Sequence, residues 1–155
     1  MNKGVVSVEV RAVVPTNAGF AVFLGNSDKS FVIYVDPAVG TAIAAELRGL
    51  SRERPQTHDL VHTLLEALGA QVTRVVVNDF KDGVFFARLI LTVENEVTDR
   101  KIIELDARPS DSLAIALRQK SPLFVAESVW EEMEDMTDVL VKMEDRGFNF
   151  GFEDL

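Results

Sequence analysis

The 155-residue chain contains no cysteine. This excludes disulfides, thiolate nucleophiles and cysteine-ligated zinc, and it suits a reducing compartment, so a cytoplasmic location is expected. Long apolar runs are also missing. The first stretch, MNKGVVSVEVRAVV, is interrupted by Lys3, Glu9 and Arg11, and nowhere do apolar residues approach the roughly 20 in succession that a spanning helix requires. Neither a secretion signal nor a membrane partner is expected. The patterns G-x-x-x-x-G-K, G-x-S-x-G and G-x-G-x-x-G do not occur, which leaves phosphate-loop, serine-hydrolase and dinucleotide-binding readings without a motif.

Basic residues are scarce, but unevenly so. Of the formal net charge of -9, most sits in residues 122 to 155, where ten Asp or Glu face only Lys142 and Arg146. Residues 1 to 121 hold 15 acids and 14 bases and are nearly neutral. Such a tail reads first as a solvated surface. The chain offers no basic patch of the kind that holds nucleic acid by charge alone.

Hydrophobic residues make up 47% of a chain of single-domain length, enough for a sizeable core. Alternating β-branched and aromatic residues predict strands at about 4 to 14, 20 to 25 and 30 to 35. Asp36 caps and Pro37 opens a helix carrying Val39, Ile43, Leu47 and Leu50, with Gly49 as its stop. After SRERPQ, Thr57 is expected to cap a second helix that buries Leu60, Val61, Leu64, Leu65 and Leu68 and ends at Gly69, with His62 and Glu66 on its solvent face. QVTRVVVNDF, VFFARLILTV and RKIIELDA supply three more strands. The helix SDSLAIALRQK, the short strand SPLFVA and the helix ESVWEEMEDM follow.

Two halves thus share a strand, strand, strand, helix order. VDPAVGTAIAAELR (35 to 48) lies over LDARPSDSLAIALR (105 to 118) without a gap, matching Asp36 with Asp106, Ala44 with Ala114, Leu47 with Leu117 and Arg48 with Arg118. The expected architecture is α+β: two β-β-β-α halves, pseudo-twofold related if the match reflects duplication, with an extra helix between them and an acidic helical segment at the C-terminus. The body spans residues 1 to 130, and residues 131 to 155 pack on it or extend from it. Trp130, Phe148, Phe150 and Phe152 are expected to pack the tail onto the body. A mostly apolar strand edge and this Phe-rich tail leave room for a homodimer.

Two stretches repeat one grammar: RERPQTHDL (52 to 60) and DARPSDSLA (106 to 114) each place Arg, Pro, a hydroxyl residue and Asp at a helix start. As structure alone, Thr57 and Ser110 cap, Asp59 and Asp111 complement the helix dipoles, and Arg54 and Arg108 pair with Asp111 and Asp59 across the two ends. Capping does not require the arginines, however, nor His58. Unpaired N-H groups at two helix starts with Arg54, Arg108, Thr57 and Ser110 would bind phosphate. Asp59, Asp111 and Asp106 offer oxygen ligands for Mg²⁺ or Mn²⁺, and His58 can move a proton near neutrality. Such a set, with His58, Asp59 and Asp111 as its catalytic members, suits phosphodiester hydrolysis. A rival zinc reading of HDLVH has an aspartate where H-E-x-x-H has glutamate and lacks a third ligand unless Glu66 serves.

The stretches RPQTHDLVHTLLEALGAQVTRVVVNDFKDGVFFARLIL and IELDARPSDSLAIALRQKSPLFVAESV closely resemble the bifunctional nuclease family, small domains of bacteria and plants, over about residues 5 to 130. The resemblance implies an α+β domain and, as for plant members, hydrolysis of DNA and RNA. Carried over position by position, it marks Arg54, Pro55, Thr57, His58, Asp59, Arg108, Pro109, Ser110 and Asp111. The chain departs from the pattern with Gln56 where relatives often have leucine and Val39 where many have glutamate. The alternative is a non-enzymatic binding or regulatory module in which the same cluster locks the halves together.

Overall fold

A computed structural model describes residues 4–50 and 53–145. The elements run β1 (Val5–Thr16), β2 (Gly19–Gly25), β3 (Ser30–Val35), α1 (Pro37–Leu47), α2 (Thr57–Ala67), β4 (Ala70–Lys81), β5 (Val84–Val93), β6 (Lys101–Ala107), α3 (Pro109–Gln119), β7 (Leu123–Ala126), α4 (Glu127–Glu132) and α5 (Thr137–Asp145). This is the mixed α+β order expected from the alternation of strand and helix signals. The strands form one sheet in the order β3-β2-β1-β7-β4-β5-β6. Two antiparallel meanders therefore flank β7, which runs antiparallel to β1 and parallel to β4.

A bulge between Val10 and Ala12 divides β1. Val8 and Val10 before it, and Val13 after it, enter the main core with Leu24, Phe31, Val75 and Val125, while Ala12 and Val14 turn to the opposite face. The extra residue re-aims the strand so that it serves two cores. α1 and α3 lie against each other in the main core. Asp36 caps α1 through Val39 N-H (3.0 Å), and a Cβ at Gly40 would come within 2.2 Å of the Phe20 ring, so glycine is what lets α1 seat on β2. α3 contributes Leu113, Ala114, Ile115 and Ala116, all buried, which agrees with its apolar circumference.

The acidic C-terminal region expected as one helix over 127 to 136 breaks at Met133, whose backbone is extended, and resumes as α5. Asp135 accepts the Ser30 N-H (3.2 Å) and Met136 N-H donates to Ser30 O (2.6 Å), which fastens the start of α5 to β3. Leu140 then joins Ala12, Val14, Ala21 and Phe23 in the second core. Trp130 packs edge-on to Phe31, as expected of a core residue. Phe148, Phe150 and Phe152 lie outside the described residues.

α2 departs from expectation in its orientation. Leu60, Leu64 and Leu68, expected inside, are 53%, 53% and 61% exposed, and the one fully buried residue of this helix is Asp59. His62, expected on the solvent face, is mostly covered. The apolar positions 60, 61, 64, 65 and 68 spread over a broad arc, so periodicity alone does not say which edge of the arc turns inward. Contacts from His58 to Asp111 and from Asp59 to Arg118 tie this edge to α3. The cap also moves: Gln56, not Thr57, is the N-cap, because Asp59 reaches back to the Gln56 N-H (2.8 Å).

Candidate active site

Arg108 is the N-cap of α3, with extended backbone followed by Pro109 at the first helical position. This geometry places Arg108 and Asp111 three residues apart on one side of the helix start. Arg108 Nε donates to Asp111 Oδ2 (2.8 Å), and its terminal Nη1 reaches Asp36 Oδ2 (3.4 Å). The other Asp111 oxygen faces His58 Nε2 at 3.1 Å. Asp36, Arg108, Asp111 and His58 therefore form one continuous chain of contacts across the starts of α1, α3 and α2. The Arg108 side chain remains 61% exposed, whereas that of His58 is 20% exposed.

Burial by itself would raise the Asp111 carboxyl, but hydrogen bonds from Arg108 and then His58, with the charges of both, outweigh it and hold the group below its ordinary 3.8. Arg108 is in turn raised by its bond to and the charge of Asp111, with a smaller share from Asp36. A depressed carboxyl stabilises the fold fully above its unfolded value and loses that contribution as pH falls through the lower folded value. Wild type is thus expected to unfold at higher temperature than Asp111→Asn at neutral pH, and the gap should close below about pH 3.8. Paired thermal melts across that range test this, and a gap that stays constant with pH would contradict it.

The remaining expected site residues are dispersed. Arg54 is exposed ahead of α2 and makes no ion pair among the described residues, and Thr57 is exposed at the first position of that helix. Ser110 is buried at 7% exposure and does not face solvent. Asp59 faces inward to the Gln56 amide and Arg118 (4.0 Å), and Arg118 also reaches Glu46 (3.6 Å). The cross-link between helix ends is thus His58 to Asp111, not Arg54 to Asp111 or Arg108 to Asp59. Asp106 lies on β6 with Arg88 at 4.0 Å. Among the described residues no three His, Asp or Glu side chains gather to hold a cation. Asp59, Asp111 and Asp106 therefore do not fit a shared divalent metal site. His58, His62 and Glu66 do not form such a group either, although His62 lies 3.3 Å from Glu66. Two cavities, of about 460 and 870 Å³, share Lys120, Ser121 and Pro122 at the opposite end of α3.

Sequence reasoning missed two members of this region. Asp36 read as a cap only, whereas its equivalent by alignment, Asp106, was assigned to the site as a metal ligand; it is Asp36 that contacts Arg108. Arg118, the alignment partner of Arg48, joins α1 and α2 through Glu46 and Asp59. Asparagine at position 36 would still cap α1 but would withdraw the second carboxylate from Arg108. Asp36→Asn is therefore expected to unfold within about 1 kcal/mol of wild type, while Asp36→Ala, which also loses the cap, should cost roughly 1 kcal/mol more. Urea denaturation of the pair separates the two roles of this side chain, and equal losses in both variants would reject the division.

The model of the bifunctional nuclease domain matches residues 22–137. The chain belongs to the bifunctional nuclease domain family. An uncharacterized protein of Mycobacterium tuberculosis strain H37Rv is 41% identical over 104 residues, covering 67% of this chain and 58% of that one. Bifunctional nuclease 1 of Oryza sativa subsp. japonica is 31% identical over 100 residues, 64% of this chain and 29% of the plant protein. Bifunctional nuclease 2 of the same plant is 31% identical over 87 residues, 56% and 26% of the two chains. The chain thus spans less than two thirds of the length of each of these relatives. The matched region includes all four members of the Asp36 to His58 contact chain. Among the described residues no helix is long and apolar enough to cross a membrane.

Proposed function

We propose that this bifunctional nuclease domain hydrolyses phosphodiester bonds in DNA or RNA, in the cytoplasm, at the starts of α2 and α3. The observation that carries the reading is the hydrogen-bonded pair of His58 and Asp111 beside an exposed guanidinium. With the proton of His58 on Nε2, directed at Asp111 Oδ1, the lone pair of Nδ1 is free to take a proton from the attacking water. Asp111 fixes the ring and its tautomer. Arg108, held by two carboxylates through Nε and Nη1, keeps donors directed at solvent for the phosphate oxygens, and the exposed Arg54 ahead of α2 is the second cation of this reading. As the water oxygen bonds to phosphorus, the P–O bond to the leaving sugar oxygen breaks, and that oxygen takes a proton from the protonated His58 or from solvent.

A second reading also rests on a specific observation. Both oxygens of Asp111 are engaged, and the contact chain joins the three helices, which is what a structural lock requires. Purified protein incubated with single-stranded DNA and RNA, in Mg²⁺, in Mn²⁺ and in chelator, distinguishes the two when His58→Ala and Asp111→Ala are compared with wild type and their melting is followed in parallel. Cleavage abolished in both variants supports the hydrolytic reading. Variants that lose stability beside a wild type that does not cleave support the lock. The chelator arm reports whether the reaction needs a metal.

A further inference from the structure

Leu89 and Leu91 of β5 enter the main core, so alternation turns Phe86 and Arg88 to the other side of the sheet. That side holds a cavity of about 340 Å³ lined by Asn78, Asp79, Lys81, Phe86, Arg88 and Asp106. A bulge in β4 builds it. Val77 lies opposite Ala87 and Asp79 opposite Phe86, which leaves Asn78 without an opposite residue. Strict alternation would send Asn78 and Asp79 to different faces, and the extra residue brings both to the same cavity. Phe86 is 38% exposed and takes part in none of the ring contacts among the described residues.

Charge within the cavity is already matched. Asp79 pairs with Lys81 (3.2 Å), and Arg88 lies near Glu104 (3.8 Å) and Asp106 (4.0 Å). The walls therefore carry two carboxylates and two cations, a balance that suits a neutral polar ring better than a free phosphate. Asn78 Oδ1 is closed off from solvent and accepts no hydrogen bond among the described residues. Buried acceptors are nearly always paired, and the last torsion of asparagine is soft, so this amide can turn its acceptor or its N-H donors to the edge of a ring.

We propose that this cavity takes an unpaired nucleobase, with the ring stacked on Phe86 and its edge hydrogen-bonded by Asn78 and Asp106. Every base has a face that stacks on an aromatic side chain, asparagine suits the edge of adenine, and a carboxylate accepts from a base amino group. The proposal rests on the reading of nucleic acid as the substrate and names its form as a single strand, because a base within a duplex is stacked and paired and must leave the helix to enter a pocket. Asp106 stands two residues before Arg108, about 7 Å of extended chain. A strand whose phosphate meets the exposed Arg108 thus has an adjacent base to offer to Phe86, so that the arginine takes the charge and the cavity takes the ring.

Two-dimensional NMR titration of the full chain with adenosine and cytidine monophosphates tests this, since these carry a base and a phosphate but no internucleotide bond to cut. Both are expected to shift the Asn78 side-chain amide and the Phe86 ring, and ribose 5-phosphate, which lacks the base, is expected to leave them unmoved. Phe86→Ala should weaken binding by roughly fivefold or more, the lower end of what one base on an aromatic ring contributes. Phe86→Tyr keeps the ring and should bind as wild type does, which separates stacking from any loosening of the sheet by alanine. Equal shifts with ribose 5-phosphate would assign the cavity to a sugar phosphate and overturn the proposal, as would nucleotide binding unchanged in Phe86→Ala. Cleavage is not read here, so the two readings fail separately. A wild type that shows these shifts but does not cleave loses the hydrolytic reading and keeps the base site, whereas one that cleaves without shifts at Asn78 and Phe86 loses the base site alone.

Discussion

Replacing His58 with alanine is expected to lower the rate of phosphodiester cleavage by roughly 10²- to 10⁴-fold, the range that a positioned general base contributes, while the fold survives. The side chain is one-fifth exposed and hydrogen-bonds to Asp111, so its removal should cost on the order of 1 kcal/mol. The loss should fall on kcat, because the imidazole acts on the attacking water and Arg108 still meets the phosphate. Asp111→Ala tests the same pair from the other side, with a different signature. It frees Arg108 from its shorter ion pair and leaves His58 unoriented, so turnover should fall while binding of the polyanion is held or improved by the released guanidinium. Steady-state kinetics on a fluorescent oligonucleotide read both changes. Turnover that survives His58→Ala within a factor of two would remove His58 from the reaction.

Phe31→Ala should be the most destabilising of the single substitutions considered, at roughly 3 to 5 kcal/mol, which is the usual cost of deleting a buried ring. Phe31 is 1% exposed on β3. Its ring lies 5.8 Å from that of Phe85 on β5 and 6.1 Å from Trp130 on α4, so it spans both meanders and the helix that closes the end of the core. Phe80 extends the cluster at 4.4 Å from Phe85. For a domain of this size the melting temperature should drop by about 10 °C. Tyr34, three residues along the same strand and 74% exposed, is the control, and Tyr34→Ala should stay within about 0.5 kcal/mol. Similar losses at the two positions would mean that the aromatic cluster does not join the halves of the sheet.

The parts of the fold that were readable from sequence are those decided by neighbours in the chain. Alternation at Val6, Val8 and Val10, the Asp36-Pro37 start, and the glycines at 49 and 69 are local signals, and strands and helices formed where these place them. α2 shows where such signals stop. Its leucines fit a helix in any orientation, and what turned the helix was a pair of contacts to α3 more than fifty residues away. The candidate site divides the same way. Arg108, Asp111 and His58 were visible because two similar motifs stood at helix starts, and the structure joins them. Asp36 was hidden because its bond to Arg108 crosses 72 positions, and strand pairing of β6 with β5 set Asp106 beside Arg88.

The place of β7 has a consequence for how the chain assembles. Each meander is built from strands adjacent in sequence and can close soon after it leaves the ribosome, but the strand that joins them is the last of the seven and only four residues long. Until Leu123 to Ala126 arrive, β1 and β4 each present an open edge, and neither meander has its neighbour. Those four residues pair with both at once, so one late and non-local event converts two small sheets into one. Completion of the sheet is therefore a threshold in folding rather than a gradual extension, and it comes after the arginine and aspartate of the second motif have already been made.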